Sequence, residues 1–87
     1  MKFERAERMQ VIEQRSAEVS GSAGLFTKDR YYDPQDRSTW IEEIFFVRHK
    51  DQIYRLELEC KADQVNRFEP VFLRLVRSLQ FDCAASH

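Results

Sequence analysis

The residues with the clearest capacity for chemistry are glutamates in the second half of the chain. Glu57 and Glu59 alternate with apolar residues, so both project from one face of a predicted strand. Glu42 and Glu43 lie near them across a predicted hairpin. Close carboxyl groups can act as general acid and base, because their mutual repulsion separates their pKa values.

Basic residues next to these glutamates favour a different interpretation. Three of them lie close enough to neutralise the carboxylates, namely Arg48, Arg55 and Lys61. A surface that mixes charges of both signs is usually solvated. We therefore interpret the glutamates as a charged surface, open to solvent or bridged by a helix, and not as an active site.

Three aromatic residues, Tyr31, Tyr32 and Trp40, surround one predicted turn. Aromatic side chains that carry a polar group are enriched at protein-binding surfaces. Such residues also pack into the core at the ends of strands, and this second interpretation stays open. We take the three residues as the candidate surface for a ligand or a protein partner.

Other reactive patterns lack the spacing that their chemistry requires. His49 and His87 have no neighbouring histidine or cysteine at metal-ligand spacing. The flanks of Ser20, Gly21 and Ser22 differ from those of a nucleophile elbow. Two glycines in the whole chain are too few for a phosphate-binding loop. We expect no catalytic residue, no metal, no cofactor and no enzymatic activity.

Composition predicts one small globular domain over residues 1–87, since 43% of residues are hydrophobic and 13% aromatic. Fourteen basic and 15 acidic residues give a formal charge of −1, which does not favour nucleic acid or an anionic membrane. No apolar run reaches the roughly 18 residues of a membrane span. The first residues lack the apolar core of a signal peptide. We expect a cytoplasmic protein if Met1 is the native start, and otherwise the location is open.

The spacing of apolar residues predicts the order helix, strand, strand, strand, helix. The predicted bounds are a helix over 2–16, strands over 24–32, 39–49 and 52–61, a helix over 64–80 and a tail over 82–87. Residues 16–24 hold both glycines and predict a hinge-like connection. Short turns between neighbouring strands predict a three-stranded antiparallel meander, which makes the fold class α+β.

The middle strand, over 39–49, has bulky apolar residues at both odd and even positions. Such a strand is covered on both faces, so we expect the two helices to pack on opposite faces of the sheet. A two-residue loop at Lys50 and Asp51 would pair Phe45 with Leu56 and place Glu43 beside Leu58. A bulge or a longer loop would change this register.

The last helix has one apolar face, formed by Val65, Phe68, Phe72, Leu75 and Leu79. Pro70 lacks a backbone N–H, and its ring disfavours helical structure in the residue before it. We therefore predict a short turn near Asp63 and a regular helix from about Phe68. Cys60 precedes this helix and Cys83 follows it, too far apart for a disulfide.

Three segments carry a resemblance to a known family. They are the hairpin from 45–48 to 53–56, the stretch Phe68-Glu69-Pro70-Val71-Phe72, and Ser78-Leu79-Gln80-Phe81. Over about residues 24–81 the chain resembles the C-terminal part of PsbP-like domains. That family consists of α/β/α sandwiches that serve as binding and assembly scaffolds, so the resemblance implies no reaction and no cofactor.

The chain departs from this family in length, because a PsbP-like domain is about twice as long and has more strands before this segment. The chain is then a minimal version, or a half-sandwich that completes itself with a second copy. We predict a non-enzymatic protein-binding or assembly module that forms a homodimer or binds another protein. Two alternatives stay open: a small ligand-binding or enzymatic domain using Tyr31, Tyr32 and Trp40, and a secretion-chaperone-like module that holds an apolar partner helix.

Overall fold

A computed structural model describes residues 9–79 as an antiparallel sheet followed by one helix. The elements are β1 (Gln10–Val19), β2 (Ser22–Asp33), β3 (Ser38–His49), β4 (Gln52–Lys61), a 3-10 turn (Ala62–Gln64) and α1 (Val65–Ser78). The strands lie in the order β1-β2-β3-β4, so each one pairs with its neighbours along the chain. The described part of the chain is therefore an α+β meander that ends in a helix.

The sheet has four strands where the sequence predicted three, and the helix predicted over 2–16 is wrong for residues 10–16. Those residues belong to β1, which pairs with β2. Residues 2–8 of that predicted helix, and the predicted tail over 82–87, lie outside the described residues. Helix propensity is a weak local preference, and pairing with a neighbouring strand overrides it here.

The connection predicted as a hinge is a tight hairpin turn. Ser20 and Gly21 link β1 to β2, with Val19 paired to Ser22. Both loop residues have positive φ, 53° for Ser20 and 80° for Gly21. A turn of this hand matches the twist of the flanking strands, so it closes a hairpin and leaves no hinge.

The register predicted for the β3–β4 hairpin is confirmed. Phe45 lies opposite Leu56, and Glu43 lies opposite Leu58. Lys50 occupies the two-residue loop with a φ of 58°. Since strand side chains alternate between faces, this register decides which residues of β4 meet the helix.

One hydrophobic core joins α1 to the sheet. Phe72 and Val76 of α1 pack with Phe26, Phe45 and Val47 of the central strands. The ring of Phe45 lies 4.7 Å from that of Phe26 and 5.9 Å from that of Phe72, both in tilted contact. Tilted aromatic pairs at these distances stabilise a core beyond the area they bury.

The prediction of a helix on each face of the sheet is wrong for the described residues. Within 9–79, α1 is the only α-helix, and it covers one face. The residues expected to form part of the second helix instead extend the sheet as β1. The opposite face of β3 therefore has no helix over it in this part of the chain.

The helix begins earlier than predicted, at Val65 instead of about Phe68, and it continues through Pro70. Pro70 lies in the second turn, where its missing N–H removes one hydrogen bond to the carbonyl of Asn66. Packing of the apolar face of α1 outweighs that loss.

Cys60 is buried on the helix side of β4. No helix within residues 9–79 has the length and apolar character needed to cross a membrane.

Gly24 tests how closely β2 and β3 approach. An added Cβ at Gly24 would overlap the carbonyl oxygen of Phe46, whereas at Gly21 it would meet no atom within 4 Å. We expect Gly24→Ala to lower the free energy of unfolding by about 1–3 kcal/mol, as overpacking does, measured by urea denaturation. Gly21→Asn is the control, because asparagine tolerates positive φ. A Gly24→Ala variant as stable as the wild type would contradict this close approach.

Candidate functional site

The side of the sheet opposite α1 is called the open face here. The register and the alternation of strand side chains place every second residue of β2, β3 and β4 on it. Twelve of these residues form its central part. They are Leu25, Thr27, Asp29, Tyr31, Trp40, Glu42, Ile44, Phe46, Ile53, Arg55, Glu57 and Glu59. The open face therefore combines apolar, aromatic, acidic and basic side chains, because Arg48 and Lys61 also lie on it at the strand ends.

The structure brings together two of the three predicted aromatic residues. Tyr31 and Trp40 lie directly opposite each other on the open face, whereas Tyr32 lies opposite Thr39 and projects from the helix side. Tyr31 is buried, and its hydroxyl donates a hydrogen bond to the Glu59 carboxylate. Its neighbours on the open face are therefore acidic as well as aromatic.

The other two aromatic residues are held differently. The Trp40 indole donates a hydrogen bond from Nε1 to Asp36 Oδ2 over 3.2 Å. This contact ties Trp40 to the turn between β2 and β3. Tyr32 is exposed on the helix side. The three residues therefore do not form one surface, because neighbouring residues of a strand point to opposite faces.

Carboxyl groups form a row across three strands of the open face. Asp29, Glu42 and Glu59 lie opposite one another on β2, β3 and β4. The carboxylates of Glu42, Glu57 and Glu59 have oxygen atoms within 4.8 Å of one another. Thr27 Oγ1 donates a hydrogen bond to buried Asp29 over 3.2 Å. The predicted grouping of glutamates is thus present for Glu42, Glu57 and Glu59.

Crowding of like charges changes the protonation of this row. Burial, and then the neighbouring Glu57 carboxyl, raise the pKa of Glu42 to about 7. Like charges placed directly opposite on paired strands destabilise a sheet, and a shared proton relieves that repulsion. On the other side of Glu57, the Arg55 guanidinium lies 3.0 Å away and compensates part of the charge.

Glu43 separates from the other glutamates and lies beneath α1. It is completely buried, at 0% exposure, and neither of its carboxyl oxygens has a hydrogen bond within the described residues. Lys28 Nζ lies 3.5 Å from the Glu43 carboxylate and 3.4 Å from that of Glu69. Burial, and then Glu69, raise the pKa of Glu43 to about 7, while the Glu43 carboxyl lowers the pKa of Glu69.

The predicted register indicated the position of Glu43, but the sequence did not indicate its chemical environment. Pairing with Leu58 already placed Glu43 on the helix side. What the sequence did not indicate is the cationic partner, since Lys28 comes from β2 and Glu69 from α1. The cluster of Lys28, Glu43 and Glu69 joins three elements at the edge of the core. It makes the packing of α1 sensitive to charge.

One cavity of about 270 Å³ lies at the end of the sheet near Trp40. It is lined by Arg37, Ser38, Thr39, Lys61, Ala62 and Asp63. Small-molecule sites usually enclose about 300–1,000 Å³ and are mainly apolar. None of the three predicted aromatic residues lines this cavity, so it does not join them into one site.

Comparison with family models, curated proteins and solved structures finds no match for this chain.

The two raised glutamate pKa values determine a dependence of stability on pH. The folded protein keeps protons on Glu42 and Glu43 up to about pH 7, whereas the unfolded chain releases them near the ordinary pKa of 4.5. Raising the pH from 4.5 to 7 therefore favours the unfolded chain. We expect the free energy of unfolding to decrease across this range, measured by urea denaturation at several pH values.

Two variants separate the contributions to this slope. Glu43→Gln and Glu42→Gln each replace a titrating carboxyl with a neutral amide of similar shape. We expect each variant to flatten the decrease, and the double variant to flatten it most. A slope in Glu43→Gln equal to that of the wild type would show that Glu43 does not hold its proton in the folded protein.

Proposed function

We propose that this chain is a non-enzymatic protein-binding and assembly module that associates with itself. The observation that carries this proposal is the set of large apolar side chains that stay exposed on α1 and on the strands beside β3. The apolar residues of β3 itself are buried or half-buried. Apolar surface left exposed on a small domain favours contact with another protein chain.

Exposed apolar residues lie on both sides of the sheet. On the open face they include Leu25 and Ile53, and on α1 they include Phe68, Val71 and Leu75. A domain of this size buries about 60–65% of the surface its unfolded chain exposes. The free energy of unfolding of such a domain is small, so binding a partner would increase it substantially.

The placement of the acidic row supports the non-enzymatic part of this proposal. Within the described residues, the acidic row lies on the open face of the sheet, and none of its members lines the cavity at the end of the sheet. A general acid or base acts on a substrate held within hydrogen-bond reach, and an open surface does not hold one in place. The row is more simply a polar part of the sheet surface.

The resemblance to PsbP-like domains belongs to this proposal. The residues that carry it include the β3–β4 hairpin and the Glu69-Pro70 step, which lies within α1. A family of α/β/α sandwiches needs helices on both faces of its sheet. Within the described residues only one face carries a helix, so the resemblance extends to the sheet and one helical layer.

A second candidate is a secretion-chaperone-like module that holds a partner helix on the open face. Leu25 and Ile53 are exposed on that face, and Phe46 is half-buried opposite Leu25. Such a surface accepts an apolar helix with basic residues, because the acidic row would pair with them. This candidate predicts a stable monomer that forms a complex of unequal chains.

Solution mass separates the two candidates. We expect sedimentation equilibrium between about 1 and 100 µM to show a shift from monomer to dimer. We also expect the melting temperature to rise with protein concentration, since association stabilises the folded state. A monomer throughout this range with a cooperative melt independent of concentration would exclude self-association and favour the second candidate.

A further inference from the structure

We propose that two copies of this chain pair in antiparallel fashion along the free edges of their β4 strands. The sheet then continues from one copy into the other, and the two α1 helices lie side by side on the same face. This inference rests on the proposed self-association and names the surface that produces it.

The two edges of the sheet differ in their capacity to accept another strand. β1 has a bulge between Val11 and Glu13, whereas β4 pairs with β3 over all ten of its residues without a shift of register. Bulges are a common way to protect an edge strand from further pairing. Among the described residues β4 has a strand on one side only. The regular edge is therefore the one available to a second copy.

The backbone of β4 offers hydrogen-bonding groups at alternate residues. His49 and Gln52 flank the two-residue loop and pair with each other. In such a hairpin the flanking pair exchanges hydrogen bonds, and every second residue after it does the same. The intervening residues, which include Arg55 and Glu57, direct their N–H and C=O groups to the outer edge. These groups are the ones that a second β4 would bond.

An apolar stripe on α1 lies over this edge. Phe68, Val71 and Leu75 are spaced i, i+3 and i+7, so they form one side of the helix. Val71 is 47% exposed and Leu75 is 63% exposed. Glu69 forms an ion pair with Lys28 of β2. Around the helix axis, Glu69 lies between 100° and 160° from each of Phe68, Val71 and Leu75. The stripe therefore faces away from β2 and towards the free edge of β4. Of the four strands, β4 is the one nearest α1.

A twofold axis brings these features together. If the axis is perpendicular to the sheet, both helices stay on one face and each residue of β4 lies opposite a residue of the same parity. The two apolar stripes then face each other above the joined strands. The contact would bury Val71 and Leu75 of both copies.

Charge complementarity selects one register. When the axis passes through Leu56, Arg55 lies opposite Glu57 of the second copy, and Tyr54 lies opposite Leu58 on the helix side. Within each chain Arg55 already lies 3.0 Å from Glu57. The dimer therefore closes a ring of four alternating charges on the open face, a favourable cross-strand arrangement.

Neighbouring registers place like charges opposite each other. An axis through Arg55 pairs two arginines, and an axis through Glu57 pairs two glutamates. An axis through Leu58 pairs Glu57 with Glu59. Like charges directly opposite on paired strands are destabilising. The register centred on Leu56 avoids all three of these contacts.

The open face is a poorer surface for a second copy. Stacking two open faces would bring two rows of carboxyl groups, each formed by Asp29, Glu42 and Glu59, into one interface. Juxtaposed like charges in an interface oppose association. The β4 edge is therefore the surface that a second copy fits best.

Helix-stripe variants test the location of this interface by sedimentation equilibrium on the full chain. We expect Val71→Glu and Leu75→Glu to raise the dimer dissociation constant by about tenfold or more. Both side chains are exposed in the single chain, so circular dichroism should show the wild-type fold. Ile12→Glu is the matched control, because Ile12 is also 47% exposed but lies on β1. We expect it to leave the dissociation constant unchanged.

Charge variants test the register. Arg55→Glu alone places a glutamate opposite Glu57 of the second copy and should weaken the dimer. The double variant Arg55→Glu with Glu57→Arg restores opposite charges across the axis and should restore the wild-type dissociation constant. Weakening by Arg55→Glu without rescue by the double variant would overturn the register centred on Leu56.

The outcomes separate this interface from the proposed function. A wild-type dimer whose dissociation constant is insensitive to Val71→Glu and Arg55→Glu would overturn the β4 interface and leave self-association standing. A wild-type dimer disrupted by Ile12→Glu alone would assign the interface to the β1 edge. A wild-type chain that is monomeric at about 100 µM would overturn both self-association and this interface.

Discussion

The packing of Phe72 and Val76 of α1 against the central strands is the contact on which the rest of the structure depends. A sheet of hairpins gains independent stability from a hydrophobic face, and packing that face against a helix buries it. In the described residues α1 is that layer. Because strand side chains alternate, the same contact turns every second residue of β2, β3 and β4 towards the open face. The composition of the open face follows from the placement of the helix on the other one.

Adjacent glutamates of β3 show how strongly this division into faces acts on chemistry. Glu42 projects to the open face and meets other carboxyl groups, whereas Glu43 projects beneath α1 and meets Lys28. Burial raises the pKa of both to about 7, with Glu57 adding to the effect on Glu42 and Glu69 to that on Glu43. The formal charge of −1 counts both as ionised. Near neutral pH the folded chain is therefore less acidic than its composition indicates.

The edges and the helix flank decide which surfaces suit a partner. β1 ends the sheet with a bulge, while β4 ends it with a regular strand, and α1 carries exposed apolar residues. Charged residues on an edge strand usually discourage pairing. On β4 the order Arg55, Leu56, Glu57 allows antiparallel self-pairing with opposite charges in contact. Under the proposed pairing, this order distinguishes the register centred on Leu56 from its neighbours.

Local patterns in the sequence determined the second half of the described structure. Alternation along β4 and the two-residue loop at Lys50 and Asp51 predicted the β3–β4 register that the structure has, because both depend on residues close in the chain. The absence of a bulge within this hairpin, which the register also requires, came from the structure. The apolar period of α1 was equally clear, although Pro70 suggested a later start than Val65. The pairing of Glu43 with Leu58 was already implied by the same register.

Only the tertiary structure decided the conformation of residues 10–16 and the composition of the candidate site. Residues 10–16 have good helix propensity, yet β2 offers them a row of hydrogen-bonding partners and they form β1 instead. Tyr31 and Trp40 meet while Tyr32 does not, because face assignment depends on strand pairing and not on distance along the chain. The Lys28, Glu43 and Glu69 cluster draws on three separate elements. Interactions between residues far apart in sequence leave no local pattern, so folding alone brings such groups together.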